Sequence, residues 1–157
     1  MTARINPMAS PIAAKAMKHL IASHHALAES TVPAATRELV MIRASQINGC
    51  SGCLDMHTKE AAHAGETTTR LNLVAAWREA TVFTDAERAA LELTEQGTRI
   101  ADGAGGVSDE AWENAAKHYD EDELAALVIV IALINSFTRM NVITRQPGGN
   151  YRAGQLG

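Results

Sequence analysis

Two cysteines, Cys50 and Cys53, lie three positions apart, and a histidine, His57, follows four residues after the second. Gly49 is a good helix stop, so the run from Cys50 reads as the first turn of a new helix. On that helix the three side chains share one face. A cysteine sulfur at a helix start feels unpaired backbone N–H groups and the positive end of the dipole, which favour thiolate over thiol. A neighbouring imidazole can take the thiol proton. The chemistry that results is that of a dithiol that attacks, then closes to a disulfide.

A third group belongs with them. Glu38 stands in the preceding helical stretch, among Ala34, Ala35, Leu39 and Val40. If that stretch and the cysteine helix fold back around Gly49, Glu38 lies level with the second turn of the cysteine helix. A carboxylate there would orient His57 and raise its basicity, completing a nucleophile–base–orienter set. The plainer alternative is a solvated glutamate. Two other readings of the cysteines stay open. Cys50, Cys53 and His57, with Glu38 or His63 as a fourth ligand, could hold zinc, or the cysteines could simply be core residues.

The elements that position these groups all read as helical. The chain has 157 residues, enough for one domain with a sizeable core. Apolar residues make up 46% and aromatics only 4%, with alanine and leucine dominant, a composition that favours helices over strands. Ser10-Pro11 opens a first helix with a stripe from Ile12 to Leu27, and His19, His24 and His25 read as surface or interface residues. Thr31-Val32-Pro33 opens the second, which runs to about Asn48. The cysteine helix stops at Gly65, and Thr67 or Thr68 caps a helix through Trp77. Thr84 and Glu87 form a capping box. The loop Asp102-Gly103-Ala104-Gly105-Gly106 lacks a P-loop lysine and reads as a turn. Ser108 caps a short helix, and Asp120 with Glu123 opens the last long one.

Leu124 to Ile134 is apolar all round, so it should be buried on every side by the domain or a neighbouring subunit. Its β-branched residues make a buried strand the competing assignment. Asn135, Ser136, Thr138 and Arg139 suggest that the helix then emerges, and Gln146-Pro147-Gly148-Gly149 ends it. The tail from about 146 should be mobile unless it docks on a partner.

Charge and cysteine usage narrow the setting. The net charge of −4 is spread over mixed signs without a basic stripe, which argues against nucleic acid. The apolar run of 11 residues is too short to span a bilayer, and residues 1–11 do not form a signal peptide. Two cysteines are no secreted disulfide framework, so a reducing cytoplasm is expected. No cofactor is implied.

The full pattern is more specific than C-x-x-C. Glu38, eleven intervening residues, Cys50-Ser51-Gly52-Cys53, three residues and His57 resemble the alkylhydroperoxidase D-like group of the carboxymuconolactone decarboxylase superfamily. The stretches 71–79 and 83–91 resemble that group too. The resemblance implies a single-domain, all-α helical bundle over residues 1–157, assembly into trimers or hexamers, and reduction of organic hydroperoxides. It makes Cys53 the attacking thiolate and Cys50 the resolving thiol, with His57 and Glu38 as proton relay. A lipoyl protein or thioredoxin-like donor would supply reducing dithiol. A general disulfide oxidoreductase, or a non-catalytic metal-binding or interaction module, are the alternatives. One position departs: characterised members carry histidine immediately before the second cysteine, where this chain has Gly52.

Overall fold

The computed structural model describes residues 2–103 and 105–155; Met1, Ala104 of the glycine-rich turn and Leu156-Gly157 of the tail lie outside the described residues. The order is α1 (Pro11–Ala26), α2 (Ala34–Asn48), α3 (Ser51–His63), α4 (Thr68–Leu73), α5 (Asp85–Thr98), α6 (Asp109–Ala116) and α7 (Glu121–Thr144), with short 3₁₀ turns at 7–9, 27–29 and 74–76. No strand occurs among the described residues.

Local chemistry sets most boundaries. Side chains of Ser10, Thr67, Thr84, Ser108 and Asp120 each accept a backbone N–H in the first turn of the helix they cap. Thr84–Glu87 and Asp120–Glu123 are complete capping boxes. Two expected ends move. α4 tightens into a 3₁₀ turn after Leu73, before Trp77, and α7 stops at Thr144, with Arg145 in the left-handed conformation at φ 56°.

The central helix is α2, with α3, α5 and α7 packed around it. One core, including Val40, Met41, Ala44, Leu93, Leu127 and Val130, contains both cysteines. A second gathers Leu39, Ile42, Val74, Trp77, Phe83 and Leu91. Glu95 ties the second core's rim to α2. It accepts from Arg43 Nε (2.8 Å), Trp77 Nε1 (2.8 Å) and Arg78. Burial alone would raise its pKa, but these three donors outweigh that and hold the carboxyl below its ordinary range.

The run Val128–Ile131 is helical, which removes the strand assignment. Within this chain neither apolar helix is covered all round, which leaves cover by a neighbouring subunit as the standing expectation for Leu124 to Ile134. α1 buries no residue, with Ile12 75% exposed, and α7 leaves Val128 (42%) and Ile129 (47%) in solvent. The polar residues after Ile134 divide: Ser136 and Arg139 emerge into solvent, but Asn135 and Thr138 turn inward. Thr138 is fully buried, Asn48 Nδ2 donates to both Thr138 Oγ1 and Asn135 Oδ1 (2.9 Å each), and Asn135 Nδ2 donates to Thr98 Oγ1 (3.1 Å). That network pins the α2–α3 turn beneath α7. With its 24 residues α7 is long and apolar enough to cross a bilayer by composition alone. Its ties to α2 and α5 make it the core helix of this domain instead.

The tail also differs from expectation: to residue 154 it docks on its own chain. Asp55 accepts the N–H groups of Gly149 (2.6 Å) and Tyr151 (2.9 Å). Lys59 Nζ donates to Tyr151 O (2.9 Å), and the Tyr151 hydroxyl donates to Glu60. A Cβ at Gly148 would collide with the Ser51 carbonyl, so only glycine lets the strap lie this close to α3.

Candidate active site

The site begins at the α2–α3 turn. Gly49 takes φ 65°, where glycine has no Cβ to strain, and its N–H closes the last turn of α2. The chain then restarts at once, with Cys50 as the N-cap of α3: its Sγ accepts the backbone N–H of Cys53 at 3.3 Å. The Cα atoms of Cys50 and Cys53 are 5.4 Å apart and the two sulfurs are joined as a disulfide. Both residues are only 1% exposed.

His57 lies one turn beyond Cys53 and is 2% exposed. Its Nδ1 is 2.9 Å from Glu38 Oε2, so α2 reaches α3 as the hairpin reading requires, and Glu38 is not a freely solvated side chain. In the tautomer whose Nδ1–H donates to the Glu38 carboxylate, Nε2 is the acceptor. Among the described residues no three His, Cys, Asp or Glu side chains converge as a metal-binding set. His57 is committed to Glu38, and His63 sits at the far end of α3.

Cys53 and His57 open on one cavity of about 220 Å³. Met17 and Ile21 of α1, Met41 of α2, and Leu133, Ile134 and Phe137 of α7 supply apolar walls. His24 and Asn141 face the same space. Burial, reinforced by nearby His57, lowers the His24 pKa and so favours its neutral imidazole. Cys50 faces elsewhere, onto a separate cleft of about 280 Å³ rimmed by Ser51, Val142, Arg145 and Gln146. A larger groove of about 580 Å³ between α5, α6 and α7 touches neither cysteine and takes no part in this chemistry.

Sequence reasoning placed Glu38, Cys50, Cys53 and His57 together, and the structure joins all four. It missed His24, read as a surface or interface residue, and Asn141, whose Nδ2 donates to Cys53 Sγ at 3.3 Å from 88 residues away. Its place on the apolar stripe, four residues after Leu20 and three after Ile21, was the sole local hint of the first. Asn141 gave none.

Relatives share this architecture. The uncharacterized protein YdfG of Bacillus subtilis is 40% identical over 131 residues, 83% of this chain and 88% of its own. A crystal structure of a protein of unknown function from Agrobacterium tumefaciens, put forward as a candidate antioxidant defence protein AhpD, superposes with a TM-score of 0.87. It is 34% identical, over 96% of this chain and 100% of that one. The debrominase Bmp8, solved with 2,3,4-tribromopyrrole, shares the fold (TM-score 0.76, 17% identity, 90% of this chain and 73% of that one). The profile of the carboxymuconolactone decarboxylase family matches residues 13–96, the span from α1 to α5 that carries Glu38, both cysteines and His57. The helical bundle, the hairpin that presents the dithiol and this match agree, and the chain belongs to the carboxymuconolactone decarboxylase family as an AhpD-like member.

Proposed function

We propose that this protein is a thiol-dependent peroxidase that reduces organic hydroperoxides through Cys53 and Cys50. One observation carries the reading: Cys53 and His57 open on the same apolar cavity while Cys50 stands within bonding reach behind them. In the reduced protein His57 takes the Cys53 proton, with Glu38 holding the imidazolium that forms. The thiolate attacks the outer peroxide oxygen and the O–O bond breaks. His57 returns its proton to the departing alkoxide, giving an alcohol and a sulfenic acid on Cys53. The Cys50 thiol then displaces hydroxide, which leaves as water, and the disulfide seen here is the product. An external dithiol, from a lipoyl protein or a thioredoxin-like donor, returns both thiols by exchange at the Cys50 cleft. The apolar walls suit the carbon body of an organic hydroperoxide better than hydrogen peroxide.

Cumene hydroperoxide added to the reduced protein, with thiols counted before and after, tests this. Two free thiols should become none, one alcohol should form per chain, and Cys50→Ser should stop at a sulfenic acid that dimedone traps. Two thiols that survive equimolar peroxide overturn the proposal. Thiols that resist peroxide but exchange rapidly with small disulfides favour a disulfide oxidoreductase instead.

A further inference from the structure

We infer that Asn141 is the catalytic hydrogen-bond donor that stabilises the Cys53 thiolate, from the space where a side chain at position 52 would lie. The inference rests on the peroxidase reading for its purpose and on separate geometry for its substance. Asn141 Nδ2 lies 3.3 Å from Cys53 Sγ. A Cβ at Gly52 would approach Asn141 Nδ2 at 4.0 Å and the carbonyls of Gln146 and Pro147 at 3.7 Å. Position 52 therefore aims at ground held by the end of α7 and the start of the tail. The last turn of α7 is closed at this residue, with Arg145 and Gln146 N–H groups both on the Asn141 backbone carbonyl, which fixes the backbone that carries the amide.

The donor matters because the helix start does not favour Cys53. The backbone N–H of Cys53 goes to Cys50 Sγ, so the first-turn donor serves the resolving sulfur. Asn141 gives Cys53 a donor of its own. A carboxamide N–H binds a thiolate much more strongly than a thiol or a disulfide sulfur, so the contact acts on the charged form. It serves both half-reactions. In the first it holds the attacking thiolate. In the second an incoming dithiol's thiolate forms a bond to Cys50 Sγ, the Cys50–Cys53 bonding pair passes to Cys53, and the departing thiolate meets the same amide. Asn141 borders both the cavity on the Cys53 side and the cleft on the Cys50 side, as that double duty requires.

The test measures thiolate formation, not peroxide turnover. In a Cys50→Ser background, iodoacetamide alkylation of Cys53 is followed from about pH 5 to pH 9, the span in which protein thiols commonly ionise. His57 with Glu38 behind it, His24 and His25 from α1, and Arg145 across the cleft are the ionisable groups around the thiol, and all stay unchanged. With Asn141→Leu the ionisation midpoint should rise by about one unit, so the thiolate fraction near pH 6 falls roughly tenfold. Nucleophilicity rises with basicity, so the high-pH plateau should match or exceed that of the parent. Asn141→Asp, nearly the same shape, should shift the midpoint further by placing a carboxylate against the thiolate. Overlaid profiles from folded parent and Asp variant overturn the inference even if peroxide is reduced. Shifted midpoints without turnover in any variant sustain it and count against the peroxidase reading alone.

Discussion

Replacing His57 tests the proton relay most directly. His57→Ala removes an imidazole that is almost fully buried and pairs with Glu38 at 2.9 Å. Two effects follow, and they separate cleanly. The first is structural: a part-buried carboxylate loses its partner, at a cost of about 1–3 kcal/mol. A domain stable by about 5–15 kcal/mol stays folded through that loss. The second is kinetic: general-base help is worth about 10²–10⁴ in rate. Oxidation of Cys53 by cumene hydroperoxide near pH 6 should therefore slow by at least about a hundredfold. The deficit should shrink toward pH 9, where a thiol with a pKa of about 8.5 ionises unaided.

Glu38→Gln keeps the side-chain shape and removes the charge that stabilises the imidazolium, so it should lose less, in the same direction. The double variant should lose less than the product of the two single losses, because the residues work as a unit. Rapid-mixing oxidation rates across that pH range, with denaturant unfolding of each variant alongside, give both quantities. If the His57→Ala profile runs parallel to the wild type at every pH, His57 is a structural residue and the relay is wrong, even if the variant is less stable.

The docked tail and the exposed apolar faces give two more expectations. The Lys59 ammonium and the Tyr151 N–H hold the Asp55 carboxyl down to about 2, below its ordinary 3.8, so the contact is complete above about pH 4 and fades as pH falls through 2. Asp55→Asn at neutral pH, and the wild type near pH 2, should both release residues 147–154 to proteolysis, and equal protection in both would show that the carboxylate does not hold the strap. The exposed apolar residues Ile12, Ile129, Val142 and Ile143 should be covered by further copies of the chain in a trimer or hexamer, and a monomer by light scattering at micromolar concentration would contradict this.

What could be read from the sequence was what depends on neighbours along the chain. Ser10, Thr84–Glu87 and Asp120–Glu123 cap helices through bonds that span three residues, so composition and spacing suffice to find them. Cys50, Cys53 and His57 share a face by helical period, and Glu38 joins them through a single turn at Gly49. Apart from the shifted ends of α4 and α7, the errors lie where a partner comes from far along the chain. Asn135 and Thr138 look like an exit to solvent until Asn48 and Thr98 meet them. The tail looks free until Asp55 and Glu60 collect its N–H groups and the Tyr151 hydroxyl. The Val-Ile run looks strand-like because β-branching reports a preference for pleated surfaces, and here α2 and α5 supply a helix-shaped site that overrides it.

The chemistry of the site is divided along the chain in a way that bears on selectivity. Residues 13–96, the part that matches the family profile, hold Cys50, Cys53, His57 and Glu38. α7 lies outside that match, yet it provides Val130, Leu133, Ile134, Phe137 and Asn141, five of the thirteen residues that line the Cys53 cavity. On the proposed mechanism reaction type resides in the α2–α3 hairpin, which carries one glycine turn and one Glu–His contact. Cavity shape and the setting of the Cys53 sulfur reside in α7, together with α1. The two can change independently, because substitutions at Leu133 or Phe137 alter the space beside the sulfur without touching the Glu38–His57 pair. A scaffold arranged this way would keep one dithiol while substitutions in the last helix reshape the space beside it.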